Sequence, residues 1–287
     1  MKEFFQDILA EVMGKSVAVT EYQTRGGGCI NSCYRLHTPQ GAFFIKYHQE
    51  RYLDMFEKEY QGLMALKESC KLTVPQPLGY GISSGKAFLL MEFLESTAPA
   101  ANYWKQLGQG LAHLHRLSHE KFGWSTDNYI GRLPQKNSWT AEWVDFFVVN
   151  RLHPQIELAW DNHLLPPATQ TGLEKLIGTL DELLILEKAA LLHGDLWSGN
   201  VMVGPAGQPC IMDPATYYGH REIELAFTTL FGGFDKKFYQ AYQETYPLQS
   251  GFESRFEIYN LYPLLVHLNL FGSGYLGDIQ RTLKRYC

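Results

Sequence analysis

The hydrophobic pattern of this 287-residue chain changes period once, near residue 94, and that change constrains the fold more than any other feature. Before it, short apolar or alternating runs (VAVTEYQT, CYRLHT, GAFFIKYH, AFLLMEFL) are separated by glycine- and proline-bearing turns. Strands repeat every two residues, so residues 14–94 read as a small, mostly antiparallel sheet. One helix is inserted, Met55–Ser69, with Phe56, Leu63 and Leu66 at helical spacing and Tyr60 beside them. Another opens the chain: Met1–Met13 places Phe4, Phe5, Ile8, Leu9 and Val12 on one broad face, and Gly14 ends it.

Beyond residue 94 the helical period takes over. Helices are predicted for Asn102–Leu117 (Trp104, Leu107, Leu111 and Leu114 inward), Trp139 to about Trp160, Leu173–Lys188, and from about Glu222 onward. FGWSTDNYIGRLPQKNSW reads as a long irregular segment, and ALLHGDLWSGNVMVGPAGQPCIMDP as strand–turn–strand. The expectation is an α+β chain of two lobes, residues 1–94 and 95–287, with a hinge at about 91–95 and a natural ligand cleft between them.

Composition narrows the class. The chain has 45% hydrophobic and 19% charged residues, which excludes disorder as its dominant state. Lys and Arg total 25 against 30 Asp and Glu, a net charge of −5, so no nucleic-acid partner is expected. No run approaches the ~20 apolar residues of a membrane span. MKEFFQDILAEVMG lacks the apolar core and cleavage site of a signal peptide. A cytoplasmic protein without membrane contact is the expectation. The five cysteines are scattered, with no CxxC, and neither a Cys quartet nor HExxH is present, which argues against a disulfide framework or a zinc site. Aromatic residues reach 14%, enough to fill a core or to line a pocket for a flat ligand.

The residues that carry chemistry cluster in LLHGDLWSGN and CIMDPA. Asp195 and Asn200 are separated by four residues, and Asp213 ends a short apolar strand. In phosphoryl transfer, Asp195 can orient and deprotonate a hydroxyl, while Asn200 and Asp213 supply the oxygen ligands Mg²⁺ requires. Upstream, Lys46 ends AFFIK, thirteen residues before Glu59 in the following helix. A phosphate-binding Lys fixed by a helix Glu fits that order, with Glu57 as the competing partner. Gly26, Gly27 and Gly28 lie between the first two strands, where glycine lets a turn approach a phosphate and present N–H groups. The run matches neither a Walker A loop nor a Rossmann fingerprint. The backbone of Glu92, Phe93 and Leu94 is placed to pair with adenine, with Met91 bordering the pocket. Each element also has a plainer reading: turn-capping Asp and Asn, a snorkelling edge Lys, a solvent-facing Glu, a buried strand without a ligand. Cys29 is either a small buried filler or a redox-sensitive thiol whose pKa neighbouring N–H groups lower. His113, His115 and His119 read as structural histidines.

GGGCIN, FFIKY, FEKEYQGLMAL, VPQPLGYG, LLMEFL, GRLPQKNSW, LLHGDLWSGNV and IMDPATYYGHREIELAF together resemble the fructosamine kinase / ketosamine-3-kinase family, in the protein-kinase-like superfamily alongside aminoglycoside phosphotransferases. The resemblance spans about residues 20–275. It implies a two-lobed fold with a small antiparallel N-lobe and a mainly helical C-lobe, and ATP and Mg²⁺ as cofactors. Lys46 would contact the phosphates, Glu59 would hold it, Asp195 would be the base, and Asn200 and Asp213 the metal ligands. His193 would support the catalytic loop, Glu224 would brace the helix after it, and Pro214 would stiffen the metal loop into a constitutively active form.

The family phosphorylates the 3-hydroxyl of ketosamines, fructosamine or ribulosamine adducts on small amines and proteins, and the phosphate then leaves with release of the amine. By the same resemblance Asn137, Trp139 and Trp197 form the sugar-side wall, and Trp143, Phe146 and Phe147 lie in the segment facing the sugar. Cys29 matches a cysteine linked with redox-dependent dimers, so the chain is expected as a monomer or redox-sensitive homodimer. Arg132, Lys136 and Cys33 depart from the usual pattern. Two alternatives remain at this stage: another small-molecule kinase on the same scaffold, and a non-catalytic nucleotide-binding scaffold.

Overall fold

In the computed structural model, residues 1–26 and 31–286 are described. They divide into two compact units, Met1–Leu107 with Gly199–Pro214, and Gly108–Ser198 with Ala215–Cys287. The division is discontinuous in sequence, because the segment 199–214 packs with the first unit.

The first unit is built on a five-stranded antiparallel sheet of β1 (Glu21–Thr24), β2 (Ser32–Thr38), β3 (Gly41–Gln49), β4 (Pro77–Ser83) and β5 (Lys86–Glu92), in the order β1-β2-β3-β5-β4. β3 is central, so both of its edges are hydrogen-bonded, and its alternating side chains point to the two faces of the sheet. Ile45 and Phe43 face helix α1 (Lys2–Met13), packing with Phe5, Ile8, Leu9, Leu36, Phe88 and Leu90. At ~1.5–3 kcal/mol for each large apolar side chain buried, this face alone holds α1 in place. The helix lies close enough to β4 that a Cβ on Gly79 would stand 2.9 Å from the Val12 methyls. Lys46, next to Ile45, points to the opposite face. Helix α2 (Leu53–Ser69) buries Phe56, Leu63 and Leu66 completely. Glu59 shares that stripe, three residues after Phe56 and four before Leu63, so its carboxylate is carried into apolar surroundings. A two-stranded ribbon, Val201–Val203 with Pro209–Ile211, completes the unit.

The second unit contains a three-stranded sheet with Ala189–Leu192 between Tyr217–Gly219 and Ser118–His119, surrounded by helices. Three expectations need correction. The segment 122–139 is not wholly irregular: it holds a short hairpin, Asn128–Ile130 with Leu133–Gln135, turned by Gly131 at φ 59°. The helix expected over Leu173–Lys188 runs instead over Pro167–Ile177 and restarts at Leu180–Leu183, with Gly178 at the break. The aromatic helix begins at Trp143 and passes through a widened π turn, Val148–Leu152, before continuing as His153–Asp161. Trp143, Phe146 and Phe147 are core residues, at most 1% exposed, and not a sugar wall. Among the described residues no helix is long and apolar enough to cross a membrane.

Candidate active site

Lys46 sits opposite Cys33 on β2 and Leu89 on β5, and only 5% of it is exposed. Its Nζ lies 2.7 Å from Glu59 Oε1 and 2.7 Å from Asp213 Oδ1. Burial opposes charge on Lys46, but the two carboxylates outweigh it and hold its pKa above the ordinary value, so it stays cationic. Burial, together with Asp213, pushes Glu59 upward against the pull of Lys46. The competitor Glu57 is elsewhere: it accepts from Gln61.

Asp213 reaches Lys46 from the ribbon. Val201 pairs with Ile211, and the Met212 N–H donates to the Asn200 carbonyl at 3.0 Å, so Asn200 and Asp213 emerge at the same end. Asp213 has φ 58°, a left-handed backbone costly for a non-glycine residue and frequent where function demands it. One cation among two carboxylates leaves net negative charge, and the nearby donors are oxygens. That set fits Mg²⁺, which is bound by one or two side chains together with substrate phosphates rather than by an all-protein cage. Among the described residues no group of three or more His, Cys, Asp and Glu is placed to form such a cage.

Along β5, Met91 is buried between Phe44 and Pro77. The Glu92 N–H donates to Gln76 O and the Phe93 N–H to Ala42 O. Leu94 is therefore the first N–H of this segment beyond the ladder. The Phe93 ring lies under the Arg35 guanidinium at 4.3 Å, and Arg35 pairs with Glu95 at 2.6 Å. Gly26 is open, with no atom near a Cβ placed on it. Gly27, Gly28 and Cys29 lie outside the described residues.

In the second unit, Ala189–Leu192 leads into His193, Gly194 and Asp195. Gly194 has φ 85°, and a Cβ there would run into the Ala215 carbonyl. The Asp195 N–H donates to His193 Nδ1 at 3.3 Å, so the fully buried His193 ring braces the loop. Glu224 clamps it: Oε1 accepts from the Gly194 N–H at 2.6 Å, and Oε2 from the His193 N–H at 3.2 Å. His115 Nε2 also lies 2.8 Å from Oε2, with its Nδ1 2.8 Å from Tyr242 Oη. Burial would raise the Glu224 carboxyl, but the His115 hydrogen bond, the His115 and His193 charges and the backbone donor bring it below the ordinary value. Sequence reasoning gave Glu224 a bracing role but directed it at the following helix. The signal available was a carboxylate inside the wholly buried run from Arg221 to Thr228.

The sugar-side residues each have partners of their own. Asn137 is fully buried, donating to Thr126 O and Asn128 Oδ1 and accepting from Arg151. Trp139 is 41% exposed and stacks on His119 at 4.3 Å. Trp197, half-buried, meets Phe231 edge-on at 6.3 Å.

A buried Lys held by a helix Glu and by Asp213 in the first unit, and an Asp-bearing loop clamped by its backbone in the second, are the kinds of part a kinase-type phosphotransferase uses. The family model for fructosamine kinase matches residues 1–287. The chain belongs to the fructosamine kinase family. It is 40% identical to a probable ketoamine kinase of Synechocystis sp. over 96% of this chain and 94% of that one. It is 37% identical to a chloroplastic protein-ribulosamine 3-kinase of Arabidopsis thaliana over 95% of this chain and 84% of that one. A crystal structure of a candidate fructosamine-3-kinase from Haemophilus somnus 129PT superposes with TM-score 0.90 at 28% identity, covering 100% of this chain and 97% of that one. The fold alone is shared with a spectinomycin phosphotransferase, TM-score 0.60 at 15% identity, covering 100% of this chain and 93% of that one. The α+β, protein-kinase-like fold class is thereby established.

Proposed function

We propose that this chain transfers the γ-phosphoryl group of ATP to the 3-hydroxyl of ketosamines, fructosamine or ribulosamine adducts on small amines and on proteins. The observation that supports phosphoryl transfer is Lys46 held at 2.7 Å by both Glu59 and Asp213, and the ketosamine acceptor is supported by the fructosamine kinase family match. In this reading Lys46 grips the nucleotide phosphates and Glu59 fixes its direction. The backbone beyond Glu92 and Phe93, at Leu94, pairs with adenine beside Met91, and Gly26 lies on the phosphate side. Asn200 and Asp213 would hold Mg²⁺, which would offset phosphate charge when bound. Asp195 takes the proton of the attacking hydroxyl. The new bond forms between O3 and the γ-phosphorus, and the bond to the bridging oxygen breaks to leave ADP. Trp197, two residues from Asp195, offers a ring face to the sugar. The ketosamine 3-phosphate then eliminates phosphate and frees the amine, a deglycation. The compartment proposed is the cytoplasm, where ATP and Mg²⁺ are supplied.

The test is Mg-ATP turnover on a fructosamine, a ribulosamine and an aminoglycoside, beside Asp195→Ala. Ketosamine phosphorylation abolished in the variant supports the reading. Phosphate found only on the aminoglycoside sinks it, and nucleotide binding without turnover points to a scaffold.

A further inference from the structure

An aromatic surface in the second unit starts at Trp197, two residues after Asp195 in the chain. From Trp197 it passes to Phe231, which packs on His267 at 4.6 Å. The His267 ring in turn meets Tyr275 at 5.1 Å and Phe271 at 5.4 Å. Phe231 is 39% exposed and Phe271 54%. Large rings left contiguous at a surface generally mark a binding site.

The surface is built from the parts that hold the loop. Helix Arg221–Leu230 clamps the loop through Glu224 and delivers Phe231 one residue past its end. A Cβ on Gly233 would stand 2.6 Å from Ser198 Cβ, so the turn after Phe231 packs on the loop itself. Helix Leu261–Phe271 carries His267 and Phe271 four residues apart, on one face. His267 Nδ1 donates to the Pro263 carbonyl at 2.7 Å, which fixes the ring. Burial lowers the His267 pKa, so it brings no positive charge to the wall at neutral pH.

We propose that Phe231, Phe271 and Tyr275 form the subsite for the aliphatic stem of the ketosamine's amine-bearing arm; the proposal rests on the ketosamine kinase reading. The 3-hydroxyl and the amine stand only a few bonds apart, so an arm leaving a sugar seated at Asp195 starts beside Trp197. Ring area covers the aliphatic stem of that arm, which the methylamine adduct lacks. The open rim formed by Phe271 leaves the far end of the arm in solvent, as a protein-borne lysine requires.

The experiment compares the ketosamine of methylamine with that of Nα-acetyl-lysine and with a glycated protein, using the full chain. Phe271→Ala is expected to raise KM for the acetyl-lysine and protein adducts about three- to tenfold, the scale of losing one or two covered methylenes. kcat, KM for ATP and KM for the methylamine adduct should stay within about twofold of wild type. Phe271→Tyr should restore KM. Equal KM changes for the short and long arms, or none for either, overturn the subsite. Wild-type protein that phosphorylates no ketosamine removes the underlying reading, and the subsite with it.

Discussion

Glu224→Gln isolates the clamp on the Asp195 loop with almost no change of shape. The carboxylate accepts three hydrogen bonds, from the Gly194 N–H, the His193 N–H and His115. An amide has one oxygen, so in either orientation its NH₂ faces at least one buried backbone N–H of the loop. Leaving such a donor unsatisfied costs about 1–3 kcal/mol, and losing charge assistance adds to it. We expect a loss of about 2–4 kcal/mol, which at ~2–4 °C per kcal/mol lowers the melting temperature by roughly 4–15 °C. A loop displaced by a fraction of an ångström misplaces Asp195, so kcat should fall about 10- to 100-fold. Lys46, Glu59 and Asp213 are held by other elements, and KM for ATP should hardly move.

The pH dependence gives a second signature. The folded pKa of Glu224 lies below its ordinary value of 4.5, so its stabilisation is complete above that value and is lost as pH falls through the lowered folded pKa. The melting gap between wild type and variant should be full near neutrality and close in acid below about 4.5. Differential scanning calorimetry with steady-state kinetics measures both. A variant with wild-type melting and kcat, or a gap that widens in acid, refutes the clamp.

Two further perturbations are informative. Glu59→Gln leaves Lys46 with Asp213 as its carboxylate partner; breaking half of a buried ionic pair should raise KM for ATP about tenfold and destabilise by about 2–4 kcal/mol, whereas an unchanged KM in isotope-transfer assays counts against Glu59 as the residue that fixes Lys46. Burial pushes the thiols of Cys33, Cys70 and Cys210 up to about 11; almost none is thiolate at pH 7.5, so iodoacetamide followed by mass spectrometry should label these three only after unfolding in urea, and rapid labelling of the native protein contradicts that assignment.

The site was legible where local periodicity carries it. Strand alternation separates Lys46 from Ile45, and helical spacing puts Glu59 on the Phe56–Leu63 stripe, so the pairing follows from two local patterns. The clamp does not. Glu224 and His115 are 109 residues apart and His115 and Tyr242 are 127 apart, and no local pattern records such a contact. Asn137 shows a second limit. An amide in a polar loop suits a sugar hydroxyl or a backbone equally, and what decides is Arg151, aimed at it from a π turn that helical periodicity did not reveal. Trp143, Phe146 and Phe147 show a third, because an aromatic stripe looks the same in sequence whether it faces a ligand or a core.

Unused acceptor capacity separates Glu224 from Asp213. Glu224 is almost fully buried, and its oxygens are occupied by donors of the chain itself, so it can hold a loop but has little left for a ligand. Asp213 stands on a strained backbone with 38% of its side chain exposed, and Lys46 is the cation it meets among the described residues. A carboxylate has about four acceptor sites, so oxygens remain for a hard cation. Lys46 adds one charge to two acids and keeps the cluster short of neutral, which draws a divalent ion with its phosphates. Asp213→Asn should therefore raise the Mg²⁺ concentration needed for half-maximal rate, while leaving the melting temperature closer to wild type than Glu224→Gln does. The reverse order would mean that Asp213 braces the ribbon and that the capacity argument is wrong.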